Sequence, residues 1–305
     1  MDKMVAMETL VAVVESGSFS GAARVLNVGQ PAVSKIIAQL EAELGVRLLI
    51  RSTRGLAPTE AGTNFYDHAR RAIQAAEDAE LAAKGASTDL SGRLRVSATV
   101  TFARMRVVPH LMTFLSRHPR LTVDLLLDDG NVDLLEQGID VALRLGKLAD
   151  STMTARRIAQ FSRMLVASPL YLARAGIPDS PRALGVHECV VYDRGGGGTA
   201  WSFKRDGESV DVDVAGRVRI TAAEGVRAAV LAGMGLAVST DWMFAPELAS
   251  GEVVRVLPEW DLPAVDLWAV YPSGRLGSAK AKAFVSFVEE TLKPPPVPSP
   301  AEGPQ

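Results

Sequence analysis

The chain has 305 residues, 48% of them hydrophobic and 22% charged, with 33 Lys+Arg against 35 Asp+Glu and a formal net charge of −2. That length allows more than one domain with a proper core, while the near-even charge gives no global attraction to nucleic acid or an acidic membrane. The one cysteine, Cys189, excludes an internal disulfide framework and any cysteine-based metal cluster. The N-terminus carries no basic-then-apolar leader, and the run from Ala228 to Val238 is too short to span a bilayer, so a cytoplasmic protein with no membrane partner is expected.

Residues 3–15, KMVAMETLVAVVE, place Met4, Met7, Leu10, Val11 and Val14 on one stripe and predict a first helix. Ser18 suits the N-cap of a short second helix in SFSGAARVLN, with Phe19, Ala22, Ala23 and Leu26 inward. The turn NVG at 27–29 leads into GQPAVSKIIAQLEAELG, 29–45, where Pro31 fits a first helical turn and Gly45 a C-terminal stop. Val33, Ile36, Ile37, Leu40 and Leu44 form its apolar stripe. Gln30, Ser34, Lys35 and the small Ala38 are left on the outward face without structural work. Three short helices with a tight, glycine-containing turn before the third match a helix-turn-helix.

After Gly45, VRLLI and GLAPT flank the turn STRG at 52–55, which predicts a small hairpin or wing. VRLLIRSTR, 46–54, holds three arginines and no acid; it suits a phosphate backbone or is a solvated charged loop. Thr59-Glu60 then opens a long Ala-rich helix ending at Gly85. Its Gly62, Phe65, Ala69, Ala72, Ala76, Ala79 and Ala83, flanked by Ile73, alternate steps of three and four. Such a seam predicts pairing with a second copy of the chain, with packing on its own domain as the alternative. GASTDLSG, 85–92, reads as a linker.

From Gly92 strands alternate with helices: LRVSATV, FARMRVVPHLMTFLSRH, LTVDLLLDDG, the short helix VDLLEQG and DVALRLG form a first set. VVYDR, the hairpin-like WSFKRDGESVDVDV, GRVRIT, AEGVRAAVLAG, GLAVS and DWMFAPELAS form a second. DLWAVYPS and AKAKAFVSFVEETL supply a last strand and helix. This alternation implies a parallel-rich sheet, and two sets imply two lobes with a cleft between them. The tail PPPVPSPAEGPQ has no core-forming residues and is expected to be disordered. GGGG at 195–198 lacks the lysine of a phosphate-binding loop, and there is no G-x-S-x-G elbow. His68, His110, His118 and His187 are scattered, with no metal-ligand spacing. Catalytic residues, metal ligands and cofactors are therefore not assigned, and an enzyme is not expected.

The stretch SFSGAARVLNVGQPAVSKIIAQLEAELGVRLLIRSTRGLAPTEAG resembles the N-terminal domain of LysR-type transcriptional regulators. SFS-x-AA, QPAVS, LE-x-ELG-x-RL, R-x-x-RG and P-T-EAG all occur in order. DSTMTARRI, VASPLYLARAGIP, AVYPS and AFVSFVEETL resemble the effector-binding half, so the likeness covers roughly residues 3–292. It implies a multidomain α+β chain: a winged helix-turn-helix at 1–58, a linker and dimerisation helix at 59–91, and an α/β domain like type 2 periplasmic binding proteins at 92–292. The last would comprise subdomain I (92–162 and 267–292) and subdomain II (163–266), joined by two crossing strands, with a disordered tail at 293–305.

The resemblance further implies a homodimer or homotetramer on double-stranded DNA, responding to a small-molecule effector. It carries DNA contact to Ser18, Ser20, Gln30, Pro31, Ser34, Lys35, Arg51 and Arg54, the last aimed into a minor groove from the wing. Gly29 stands where a serine is common, and Lys35 replaces a frequent arginine and lacks its bidentate fork. Arg47 and Glu43 read as internal salt-bridge partners rather than base readers. Dimerisation falls to Phe65, Ala69, Ala72, Ile73, Ala76, Ala79 and Ala83. Ligands of open α/β sheets bind beyond strand carboxyl ends, so Thr99, Val100, Thr101 and Phe102 are effector candidates, with Arg144, Trp201, Thr221 and Ser239. Hydroxyls and free N–H groups at 99–102 suit an anionic ligand such as a carboxylate. TAAEG stands where many relatives carry asparagine, which makes that wall less polar. The alternatives are a solute-binding or enzymatic α/β protein bearing a helical N-terminal domain, and a regulator with a vestigial cleft.

Overall fold

The computed structural model describes residues 1–52, 55–83, 90–130, 133–134, 137–148, 153–193, 199–272 and 277–293. The chain divides into two compact units, Met1–Thr88 and Asp89–Gln305.

In the first unit α1 (Lys3–Ser16) is capped by Asp2, whose carboxylate accepts from the Met4 N–H at 2.9 Å, and it stops at left-handed Gly17. Its buried residues are Ala6, Thr9, Leu10, Ala12 and Val13, not the single predicted stripe. The reason is that α1 packs against α2 (Phe19–Val25), α3 (Gln30–Leu44) and α4 (Glu60–Ala83) together, so more than one of its faces is covered. At the corner into α2, a Cβ on Gly21 would lie 2.7 Å from the Ser16 Cβ, and only glycine fits. The turn into α3 is made by left-handed Asn27, a residue type that tolerates that conformation. Val33, Ile37 and Leu40 of α3 are buried and Ile36 half-buried, but Leu44 at the helix end is exposed.

The wing is the antiparallel pair β1 (Leu49–Ser52) and β2 (Gly55–Pro58). Glu41 of α3 fixes its start: one carboxylate oxygen accepts from the N–H groups of Leu48 (2.7 Å) and Leu49 (3.1 Å). Arg47 pairs with this same Glu41 at 3.4 Å and Glu43 faces the N-terminal amine at 3.9 Å, so both enter ion pairs as expected. Thr59 caps α4 by accepting from the Gly62 N–H, and Gly62 packs so closely beneath the Leu48 carbonyl that a Cβ would lie 1.9 Å from its oxygen. The first turn of α4 is thus seated on the wing.

The second unit is built on a seven-stranded sheet among the described residues, ordered β11-β6-β13-β5-β3-β4 with β12 also on β6. Its strands are β3 (Ser91–Ala98), β4 (Arg120–Leu127), β5 (Val141–Leu145), β6 (Thr154–Ala167), β11 (Ala237–Thr240), β12 (Val254–Val256) and β13 (Leu262–Tyr271). β3 runs parallel to β4 and β5, whereas β13 is antiparallel to β5 and β6. The long strands β6 and β13 therefore join the parallel half to the antiparallel partners β11 and β12. Two smaller sheets accompany that second half. β7 (Val190–Tyr192) pairs parallel with β10 (Val218–Ile220), and β8 (Ala200–Arg205) forms a hairpin with β9 (Glu208–Asp213) through left-handed Asp206 and Gly207.

The helix predicted over FARMRVVPHLMTFLSRH is three pieces: α5 (Val100–Phe102), a π turn at Ala103–Val107 and α6 (Val108–Arg117). Pro109 is the physical reason. It has no N–H and its ring crowds the carbonyl of Met105, which widens the preceding turn. Pro246 has a similar effect in DWMFAPELAS, which divides into a 3₁₀ turn at Asp241–Phe244 and α9 (Ala245–Ser250). α7 (Pro169–Ala175), α8 (Ala223–Leu231) and α10 (Ala279–Leu292) complete the unit. Phe114 of α6 meets Phe284 and Phe287 of α10 at centroid distances of 5.4 and 5.2 Å, closing the core on that side. Much of the expected helix VDLLEQG, together with GGGG and the Pro-rich tail, lies outside the described residues. No described helix is long and apolar enough to cross a membrane.

Candidate nucleic-acid interface and ligand cavity

The N-terminal half of α3 exposes Gln30, Pro31, Ser34 and Lys35 on one face. Among the described residues no hydrogen bond or ion pair engages the side chains of Gln30, Ser34 or Lys35. Three functional groups are thus held on a rigid element and left open, two of them suited to base edges in a major groove. The first turn of α3 contains no acid, and the Gly29 N-cap supplies no side-chain bond, so its open N–H end favours phosphate. Ser18 is half-buried and spends its hydroxyl capping α2, accepting from the Gly21 N–H at 3.0 Å; Ser20 is exposed. Arg54 and the side chain of Arg51 lie outside the described residues.

The seam of α4 has two environments. Ala69 is buried and Phe65 packs against the core of the chain's own first unit. Ala72, Ile73 and Ala76 are half-buried and Ala79 is exposed, while the Ala83 side chain lies outside the described residues. The alternative of packing on its own domain thus describes the first turns, and an apolar face continues beyond them.

In the second unit a cavity of about 220 Å³ opens where β3, β6 and β11 meet α5 and α8. It brings together Thr99, Thr101, Phe102 and Ser239 from the sequence-derived set. The other four lie elsewhere. The Val100 N–H, expected to be free, donates to the Asp129 carboxylate at 3.0 Å. Arg144 donates to the Ser97 hydroxyl at 2.9 Å and stays against its own sheet. Thr221 is exposed and off the cavity wall. Trp201 packs with Phe203, Val210 and Trp260 in a separate core, because the β8–β9 hairpin needs an apolar face of its own.

Residues that the sequence did not single out complete the wall: Arg163, Tyr192, Thr240 and Trp242. Arg163 and Thr240 are cross-strand partners, so pairing of β6 with β11 places both at one end of the cavity. Burial lowers the Arg163 pKa from its ordinary value. From TAAEG only the apolar Ala223 reaches the cavity wall, as expected, while Glu224 lies beside it. Glu224 accepts from Arg104 at 2.9 Å through each carboxylate oxygen, and from the Thr101 hydroxyl at 3.3 Å. This network ties the α5–α6 segment to α8 beside the cavity.

Cys189 is buried, and burial, reinforced by the Glu188 charge, pushes its thiol up to about 12. The thiolate is the reactive form. A disulfide reagent at neutral pH is therefore expected to label the native protein only through unfolding; rapid labelling of folded protein, followed by absorbance, would contradict this burial.

A winged helix-turn-helix, a long helix and a two-lobed α/β domain with a cavity define a transcription regulator with separate DNA-reading and ligand-binding parts. Residues 4–63 match the bacterial regulatory helix-turn-helix protein, lysR family, and residues 87–293 match the LysR substrate binding domain. The chain belongs to the LysR-type transcriptional regulator family, whose members are transcription factors rather than enzymes. It is 35% identical to an HTH-type transcriptional repressor of Pseudomonas aeruginosa over 95% of this chain and 92% of the relative. It is 34% identical to the transcriptional regulator PtxR of Pseudomonas aeruginosa, over 92% of this chain and 90% of that one. The solved structure of CrgA, a LysR-type transcriptional regulator from Neisseria meningitidis, superposes with a TM-score of 0.60 at 31% identity, covering 94% of this chain and 97% of that chain.

Proposed function

We propose that this regulator binds a partly palindromic promoter site as a homodimer or homotetramer, and that a small molecule in the cavity between its two α/β subdomains changes its DNA affinity. One observation carries the reading: Gln30, Ser34 and Lys35 lie open on α3 with no side-chain partner among the described residues. Pairing of two copies through the outer part of α4, at Ala72, Ile73, Ala76 and Ala79, presents two recognition helices to successive major grooves about 34 Å apart. Four copies give two such dimers on one stretch of DNA. An effector acts by binding two arrangements of the subdomains with different affinity. The Glu224 network is the contact such a rearrangement would break or re-form.

The test is a mobility shift with the DNA beside this chain's own gene at physiological salt. A complex that survives excess competitor DNA is expected; equal loss to competitor sinks the reading. Ala76→Glu places a charge in the pairing seam and is expected to give monomers by sedimentation. An unchanged oligomer would move the interface elsewhere.

A further inference from the structure

Five exposed arginines of the second unit, Arg104, Arg117, Arg156, Arg217 and Arg219, each lie 2.9–3.3 Å from a carboxylate, whereas exposed Arg174 and Arg205 rest on the Gly233 carbonyl and the Trp260 ring. Arg163 is like the last two in lacking a carboxylate but, unlike them, is half-buried. Its Nε donates to the Pro263 carbonyl at 2.5 Å, and among the described residues no carboxylate forms an ion pair with it. A partly desolvated cation without a counter-charge costs free energy, so its place on a cavity wall calls for an anion from outside.

The rest of the cavity states what that anion is attached to. Phe102 and Trp242 meet edge to face at 5.6 Å, backed by Phe161, and aliphatic side chains complete the wall. Trp242 is buried, and among the described residues neither its indole N–H nor the Thr99 hydroxyl has a hydrogen-bond partner. A volume of about 220 Å³ falls below the usual range for ligand pockets and admits little more than one ring. Arg163, the one cation on this wall among the described residues, matches a single negative charge.

We infer that the cavity takes a one-ring aromatic monocarboxylate, its carboxylate on the Arg163 guanidinium and its ring against Phe102 and Trp242. This rests on the reading of the cavity as the effector site. The expected anion anchor thereby moves from the amides at 99–102, where Asp129 already holds the Val100 N–H, to strand β6.

The experiment uses the full chain and pairs of probes that differ only in charge: benzoate with benzamide, and phenylacetate with phenylacetamide, by calorimetry and melting temperature. An acid is expected to bind and raise the melting temperature, and its amide to bind at least about tenfold more weakly. Arg163→Gln is expected to weaken the acid by roughly ten- to a hundredfold and erase the preference over the amide, with Arg163→Lys intermediate. Ligand-free Arg163→Gln should melt at or above the wild-type temperature, since an unpaired half-buried charge is removed; a clear fall would mark Arg163 as structural and overturn the inference. Amides binding as well as acids, or none of the acids binding, would also overturn it while leaving the effector reading intact. Acids that bind through Arg163 but leave DNA affinity unmoved would instead sink the effector reading and keep the ligand class.

Discussion

Replacing Gln30, Ser34 and Lys35 together by alanine is expected to lower affinity for the specific DNA site by about a hundredfold or more, while salt-sensitive binding to random DNA persists. The three side chains stand on the open face of α3, opposite the buried Val33, Ile37 and Leu40, so their loss leaves the core untouched. Each good contact to a base edge is worth about 1–3 kcal/mol of discrimination, and a paired site doubles the number lost. Alanine is also the better helix former, so the variant should melt no lower than the parent. Titration of both DNAs by fluorescence anisotropy separates the outcomes. Retained preference for the specific site would mean that α3 is not the reading helix, and equal loss on both DNAs would mean that its contacts are to phosphate alone.

Arg227→Met is expected to destabilise the second unit by about 3–5 kcal/mol, the usual result of leaving one partner of a buried ion pair alone. Arg227 of α8 donates to the buried Glu247 of α9 and to the Met243 carbonyl at 3.3 Å, with its guanidinium over the Phe244 ring. Only 17% of the arginine side chain and 11% of the glutamate side chain are exposed, so water cannot replace the lost partner. Adding Glu247→Gln to the variant removes the stranded charge and should recover a large part of the loss. Denaturant unfolding of the single and double variants measures both effects. A single variant within about 1 kcal/mol of the parent would show that the pair does not hold the fold. Val226 and Met243 line the cavity on either side of this pair, so ligand affinity should fall together with stability.

The two predictions differ in how far they were legible in the sequence. The α3 face follows from local rules: a 3.6-residue period assigns Val33, Ile37 and Leu40 inward, and Gln30, Ser34 and Lys35 are left over. Nothing near Arg227 in the sequence points to Glu247, because the pair is formed by packing α8 against α9 across intervening strand and turn. Arg144 and Arg163 make the same point on the sheet. Both are strand arginines near a candidate cleft, yet one is held by Ser97 while the other meets the cavity. Strand alternation says which residues share a face, but not which face a neighbouring strand will cover. Trp201 and Trp242 are a second such pair, one drawn into the hairpin core and the other onto the cavity wall.

The order of elements, the helix-turn-helix and its wing, the alternating α/β half and membership of the regulator family were all legible in the residues, because periodicity, caps and turn residues act within a few positions. Which polar groups meet is settled by tertiary packing. It set Glu41 on the wing amides, Glu224 on Arg104, Asp129 on the Val100 N–H, and an uncompensated Arg163 beside Trp242. Those encounters depend on strand register and on helices docking from distant parts of the chain, where a shift of one residue exchanges the side chain that faces the cavity for one that faces away.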